Sequence, residues 1–457
     1  MSYKTIILGA GESGVGAALL AKAKGRDPFV SDLKEIGSSR KQELTDHGVP
    51  FEELGHNESI VLSAEEIIKS PGIPDTAPLI VKARAKGIPV INELEFAARY
   101  TDAKLIAITG TNGKTTTTLL TYHLLKHAGL KVGLAGNVGH SLAKQVIEDV
   151  HNVYVLEVSS FQLDGMFDFK ADIAVLLNIT PDHLDRYDND FQKYVASKFR
   201  ITQNMETNNS FIYWDDDPVI EKELTNRSLE VKAFPVSINN EVEGLGAYLK
   251  GRELVIKNEN PVTIQYEDLP LIGRHNLINS LIAISAASMM GLTHKEVVAG
   301  LQTFSNAPHR LEKVANIHEV SFVNDSKATN VNAVFYALDG IDGQIVWIAG
   351  GVDKGNDYRM VEQLAKDKVK ALICLGKENE PLLSFFEGKV PSIHETQDIA
   401  EAVRIGHALA NSGETVLLSP ACASFDLFEN YEHRGDRFRD EVLKLKSQNG
   451  SRKEVVS

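Results

Sequence analysis

Seven residues, Thr109-Gly110-Thr111-Asn112-Gly113-Lys114-Thr115, place glycines, hydroxyls and one lysine between an apolar run and a helix-like stretch. That order suits phosphate binding. Glycines let backbone N–H groups face oxyanions, Lys114 adds positive charge, the Thr115 hydroxyl can sit on magnesium, and Thr116 follows at the helix start. The eight-residue phosphate-loop pattern is incomplete, because Ile108 stands where its first glycine belongs; a plain strand-to-helix turn is the bland alternative. Magnesium takes hard oxygen ligands and shares them with phosphates. Glu157, in Leu-Glu-Val-Ser-Ser-Phe-Gln-Leu, and His183, in a polar run from Asn178 to Asp185, are candidates to face it. Taken singly, Glu157 reads as a helix-capping acid and His183 as a surface-loop histidine. Their shared position after apolar runs favours chemistry.

A second glycine cluster, Gly9-Ala10-Gly11-Glu12-Ser13-Gly14, also separates an apolar run from a helix-like stretch, and Asp32 lies 21 residues after Gly11. This fits the dinucleotide fingerprint, in which a diphosphate lies on glycine backbone at a helix amino terminus and an acid reaches a ribose. By itself it suggests NAD as readily as another nucleotide.

These loops need strands and helices behind them. The first block predicts strands over 5–8 and 29–32, a helix over 13–24, a strand-to-loop passage over 67–73, a helix over 77–86 and a short strand over 88–91. The second predicts strands over 104–108, 153–156 and 173–177 and a helix over 115–127. An antiparallel addition over 244–270, turning at Lys250-Gly251-Arg252, precedes a helix over 277–290. From 301 onward, strand signals fall at 346–349, 371–375 and 415–418. Short apolar runs alternating with amphipathic stretches specify an α/β protein with largely parallel sheets. The expected plan is a Rossmann-like domain over 1–94, a central P-loop domain with a mostly parallel sheet over 95–300, and a Rossmann-like domain over 301–457. The polar tail after Ser447 is expected to fray.

Length alone, 457 residues, suggests about three domains. With 43% hydrophobic and 24% charged residues, the chain has globular proportions, which exclude a disordered, collagen-like or disulfide-scaffold protein. Its 48 Lys and Arg against 62 Asp and Glu give a net charge of −14. That argues against a nucleic-acid partner or an anionic membrane surface, so any anionic ligand must be held by local positive features. Two cysteines, Cys374 and Cys422, are too few for a disulfide framework and fit a reducing compartment. No secretory-type apolar core follows Met-Ser-Tyr-Lys, and no run reaches the ~20 apolar residues of a membrane span. The expected location is the cytoplasm, without membrane insertion.

The motif order resembles the Mur ligase family of ATP-dependent amide-forming enzymes. The phosphate loop, Glu157, Asp-His-Leu-Asp at 182–185, Gly-Arg-His-Asn at 273–276, Pro-His-Arg-Leu-Glu at 308–312 and Asp-Ser-Lys-Ala-Thr-Asn at 325–330 occur in the family's sequence. Within it, Glu-Val-Ser-Ser-Phe-Gln-Leu at 157–163, Ser-Pro-Gly-Ile at 70–73, Ser-Pro-Ala at 419–421 and Ser424-Phe425-Asp426 resemble the branch that adds D-glutamate. The resemblance implies ATP on Gly110 to Thr116, with Asn276 at the adenine, Arg310 at phosphate and Asp325 at ribose. It implies two magnesium ions, with Thr115, Glu157, His183 and Lys198 as ligands, Lys198 acting as a carbamate. Lys114, His183 and Lys198 take the catalytic roles.

The same resemblance gives UDP-N-acetylmuramoyl-L-alanine to Gly11, Ser13, Gly14, Asp32, Ser70, Gly72 and Asn137. It gives D-glutamate to Lys327, Thr329, Lys354, Ser419 and Phe425, in a monomer. Alone, Lys198 reads as a solvated helix lysine, Asn137 as turn chemistry and Asn276 as a helix cap. Three rivals remain open: a sister ligase for L-alanine, a diamino acid or folate-linked glutamate; a nucleotide-dependent switch; and an NAD-linked oxidoreductase, which leaves the second phosphate loop unexplained.

Overall fold

Thr5–Leu8 is buried along its whole length, as a strand must be when helices cover both faces of a parallel sheet. The computed structural model describes residues 3–271 and 273–450. Thr5–Leu8 is the middle strand of a five-stranded sheet ordered Phe51–Glu52, Pro28–Ser31, Thr5–Leu8, Glu66–Lys69, Val90–Ile91, all parallel. The order reverses at Thr5–Leu8, which puts the glycine loop and the helix Glu12–Ala23 at the crevice where such sheets bind ligands.

The second sheet has nine strands, ordered Val262–Gln265, Glu253–Lys257, Gly246–Lys250, Lys232–Ser237, Ser210–Trp214, Ile173–Leu176, Lys104–Thr109, Val153–Glu157, Val132–Gly136. The first two pairings are antiparallel, forming the expected ribbon around Lys250-Gly251-Arg252, and the others are parallel. Both sheets belong to one unit, Met1–Leu269 with Ile278–Phe304, and share a core in which Ile7 and Leu20 join Leu105 and Leu156.

A second unit, Pro270–Leu277 with Ser305–Ser457, holds a six-stranded sheet ordered Glu312–Ile317, Val320–Asn324, Thr415–Leu418, Ile345–Ala349, Val369–Leu375, Ile393–Thr396. Only its first pairing is antiparallel.

Two expectations change. The helix expected from 277 begins earlier, as Arg274–Met289, so Asn276 lies inside it and cannot be its cap. The last helix, Tyr431–Gly450, runs through Ser447, and the remainder of the tail expected to fray lies outside the described residues.

The helix Glu93–Ala98 leads from the first sheet toward the second. The Glu93 carboxylate, 3% exposed, accepts hydrogen bonds from the Ser141 hydroxyl at 2.7 Å and the Ala143 amide at 2.6 Å. Burial pushes its pKa up to about 7, against the lowering effect of those bonds. A carboxyl whose folded pKa is raised contributes stability below its unfolded pKa and loses it as pH rises through the folded one. Urea unfolding should therefore show up to about 3 kcal/mol lost between the usual glutamate range and neutrality. Glu93→Gln, which keeps an acceptor without the charge, should remove that slope; an unchanged slope would clear Glu93 of it.

Candidate functional site

Lys104–Thr109 ends on Gly110, and the helix Lys114–His127 starts from Gly113, whose φ is +84°. That backbone suits glycine, and a Cβ on Gly113 would also overlap the Asn279 side-chain amide. The residue before the helix, Gly113, supplies no side-chain cap, and a helix amino terminus of this kind attracts anions. The loop is braced from behind. Asn178 accepts from the Asn112 amide at 2.8 Å and donates to the Asn112 carbonyl at 3.0 Å, while Thr111 Oγ1 accepts from Thr180 N at 3.0 Å. Lys114 Nζ donates to the Gly110 and Thr111 carbonyls at 2.8 and 2.7 Å, wrapping the loop its charge serves.

Behind that loop lies Lys198, near the end of the helix Phe191–Phe199 and only 1% exposed. The solvated-lysine alternative therefore falls. Its amine donates to the Gly110 carbonyl at 2.8 Å and Thr109 Oγ1 at 3.2 Å, with Nζ 5.3 Å from the centroid of the Tyr194 ring. Burial holds the ammonium well below the usual lysine range; Lys114 acts in the same direction, and Asp182, Asp164 and Glu157 oppose it.

Glu157 is 2% exposed at the end of its strand. One oxygen accepts from Asn137 Nδ2 at 2.8 Å, and the other, Oε2, is buried without a hydrogen-bond partner among the described residues. A buried carboxylate oxygen left over in this way suits a hard cation. It is not a helix cap, because Ser159 and Gln162 form the capping box of Ser160–Leu163. His183 is half exposed, at φ +52°, with its ring edge-on to Phe161 at 5.1 Å. Desolvation lowers its pKa, with Lys114 and Lys198 adding to the effect and Asp182 and Asp185 resisting it, so the neutral imidazole is favoured.

At the other glycine loop, a Cβ on Gly14 would overlap the Gly9 carbonyl oxygen, so this close turn needs glycine. No side chain among the described residues caps the helix that follows Gly11, leaving its amino terminus for a ligand. Asp32 is committed to the loop: its carboxylate accepts from Ala10 N at 2.7 Å and Lys34 N at 2.9 Å. Ser13 stands half-buried at the same helix start. Ser70 begins a tight turn, closed by Ile73 N on its carbonyl at 3.0 Å, with the Gly72 backbone exposed within it.

In the second unit, Asp325 follows Val320–Asn324 and Ser419 follows Thr415–Leu418, and the Ser419 hydroxyl donates to Asp325 at 2.9 Å. Burial pushes Asp325 up to about 7, opposed by Ser419, the Leu311 amide and Arg310. The Lys327 amine lies 3.6 Å from the centroid of the Tyr431 ring, and Thr329 N donates to the Lys327 carbonyl at 2.8 Å. Val352 pairs with Ala423 at 2.8 and 3.2 Å, which sets the loop of Lys354 beside that of Phe425. Both of those side chains are exposed.

Sequence reasoning overlooked several supports. Asn279 follows Asn276 by one helical turn, a spacing that carried the signal. Tyr194 reaches Thr111 Oγ1 through its hydroxyl at 3.1 Å. Arg434, 1% exposed, donates to the carbonyls of Gly350, Cys422 and Ser326 at 2.9–3.3 Å and so joins three strand-end loops of the second unit. Burial brings its pKa down to about 10. Nothing in its charged sequence neighbourhood marks it for burial.

Comparison with known proteins bears on the family of the chain. Residues 3–92 match the Mur ligase MurD-like N-terminal domain, 108–287 the Mur ligase middle domain, and 309–422 the Mur ligase glutamate ligase domain. The UDP-N-acetylmuramoylalanine–D-glutamate ligase of Porphyromonas gingivalis is 52% identical over 447 residues, spanning 97% of this chain and 99% of that one. Among solved structures, the fold is similar to a pseudomurein peptide ligase type C from Methanothermus fervidus, with TM-score 0.62, 20% identity and coverage of 97% and 100%. It is also similar to the MurF ligase from Thermotoga maritima in complex with ADP, with TM-score 0.59, 16% identity and coverage of 93% and 99%.

Gly113→Ala should cost about 1–2 kcal/mol through its left-handed backbone and weaken nucleotide binding at least about tenfold. Urea unfolding and calorimetric titration with ATP would report the two effects. Undiminished ATP affinity would separate the nucleotide site from this loop.

Proposed function

The chain belongs to the Mur ligase family, and we propose from that premise that it joins D-glutamate to UDP-N-acetylmuramoyl-L-alanine, converting ATP to ADP and phosphate during peptidoglycan precursor synthesis. The observation that carries this reading is the 52% identity, over 97% of this chain, with a ligase named for that reaction. A carboxylate cannot expel oxide, so it needs activation. The L-alanyl carboxylate attacks the γ-phosphorus of ATP, releasing ADP and leaving an acyl phosphate. The D-glutamate amine then attacks the acyl carbon, and the tetrahedral intermediate expels phosphate as the amide forms.

Gly110 to Thr116 hold the ATP phosphates, Lys114 and Arg310 neutralise their charge, Asn276 serves the adenine side, and Asp325 the ribose. Positioning and electrostatics carry most of such a phosphoryl transfer. Thr115, Glu157, His183 and carbamylated Lys198 are the residues that would hold magnesium, two ions in this reading; the metal supplies further charge neutralisation. The unpartnered Glu157 oxygen supports that role. His183 also orients the acyl phosphate. The buried amine of Lys198 supports its modification, because the neutral form is the one that adds CO2, forming an N–C bond and releasing a proton.

Gly11, Ser13, Gly14, Asp32, Ser70 and Gly72 take the UDP end, and Asn137 takes the muramoyl portion. Lys327, Thr329, Lys354, Ser419 and Phe425 receive D-glutamate. We read the protein as a cytoplasmic monomer serving cell-wall growth, cell shape and division; two buried free thiols fit a reducing compartment.

Phosphate release with ATP, magnesium and UDP-N-acetylmuramoyl-L-alanine should depend on D-glutamate. Preference for L-alanine or a diamino acid would move the chain to a sister activity, and release indifferent to any amino acid would favour a nucleotide switch. Lys198→Ala should lose activity and regain part of it with added short carboxylates. Full activity without them would exclude the carbamate.

A further inference from the structure

Arg186 lies in the turn Leu184–Tyr187, just after His183, and its guanidinium joins two loops that are distant in sequence. Its central carbon sits 4.1 Å from the centroid of the Phe161 ring, and its terminal nitrogens donate to the carbonyls of Pro71 at 3.2 Å and Gly72 at 2.9 Å. Phe161 in turn meets the His183 ring edge-on at 5.1 Å. Next along the loop, the buried Lys69 amine donates to the Ile73 carbonyl at 2.9 Å. Three successive carbonyls, 71 to 73, are thus turned toward cations.

A trans peptide carries its N–H opposite its C=O, so holding the Pro71 carbonyl on Arg186 directs the Gly72 N–H the other way. The same loop rests on the first glycine cluster through Ser70 Oγ, which donates to the Gly9 carbonyl at 3.4 Å. A planar fork stacked on an aromatic face is well organised for this task, and a lysine is a poor substitute for it. Arg186 is itself exposed, as is Gly72, so water could satisfy the carbonyls if the side chain were removed. Stability gives little reason for the contact.

We propose that Arg186 is a positioning residue. It fixes the 70–73 loop against the glycine cluster, turns the Gly72 N–H toward the substrate diphosphate, and links the nucleotide end of the substrate to Phe161 and His183 at the reacting end. The assignment rests on the UDP-linked substrate proposed above.

Arg186→Ala in the full chain should raise KM for UDP-N-acetylmuramoyl-L-alanine about tenfold while kcat stays within about twofold. KM for ATP and for D-glutamate should not move. Arg186→Lys should fall between Arg186→Ala and the wild type. In the free protein, exchange of the Ile73 amide, which closes the turn on the Ser70 carbonyl, should accelerate in Arg186→Ala, with the thermal midpoint unchanged. An unaltered KM for the UDP substrate, or an equal rise for all three substrates, overturns the proposal. If the wild type fails to use D-glutamate, the ligase reading falls by itself. The exchange comparison still decides the clasp, and identical exchange in variant and wild type overturns it.

Discussion

A lysine amine buried against neutral partners is the constraint on which the central sheet depends. Among the described residues, Lys198 donates to a threonine hydroxyl and a glycine carbonyl, with three carboxylates acting only through their fields. A charged ammonium would be costly there, so the amine is driven toward its neutral form. Holding it requires the helix Phe191–Phe199 to end behind the phosphate loop, Tyr194 to pack beside it, and Thr109 to divide its hydroxyl between Lys198 and the Val158 carbonyl. The first atoms of the phosphate loop are thereby fixed from inside, and Lys114 closes over them.

The second unit meets a similar difficulty with the opposite bookkeeping. Arg434 is surrounded by carbonyls, so its guanidinium is satisfied by backbone from three loops at once and stays largely protonated near neutrality even with its pKa brought down to about 10. Those loops carry Ser326, Gly350 and Cys422, and beside them stand Asp325, Lys354 and Ser419. In a chain of net charge −14, cations that meet anions must be concentrated by such scaffolding.

The features legible in the sequence were those that the backbone itself demands. Glycines at 9, 11, 14, 110 and 113 announced their turns, and the apolar runs at 5–8, 104–108 and 415–418 announced buried strands. Phe51–Glu52 was not legible, because two residues carry no period and pair only by virtue of Pro28–Ser31 alongside. Glu157 could be read either as a cap or as a ligand until Ser159 and Gln162 were seen to cap the helix themselves. The burial of Lys198 and Arg434 was equally hidden, since charged residues on amphipathic helices usually face water. Asn276 was misplaced for a local reason: Gly273 masked how early the helix begins.

Five of the six edges of the three sheets have a consequence for solubility. Val262–Gln265 follows Pro261 and turns Thr263 and Gln265 outward, and Val132–Gly136 contains two glycines. Glu312–Ile317 opens with a glutamate and a lysine and is broken by a bulge after Lys313, while Phe51–Glu52 and Val90–Ile91 are two residues long. Short, bulged, charged or proline-flanked borders are poor templates for strand addition. A protein that stacks so many β-branched residues in parallel strands thus keeps its hydrogen-bonding rims from recruiting another chain, which guards against fibril-like association at high concentration.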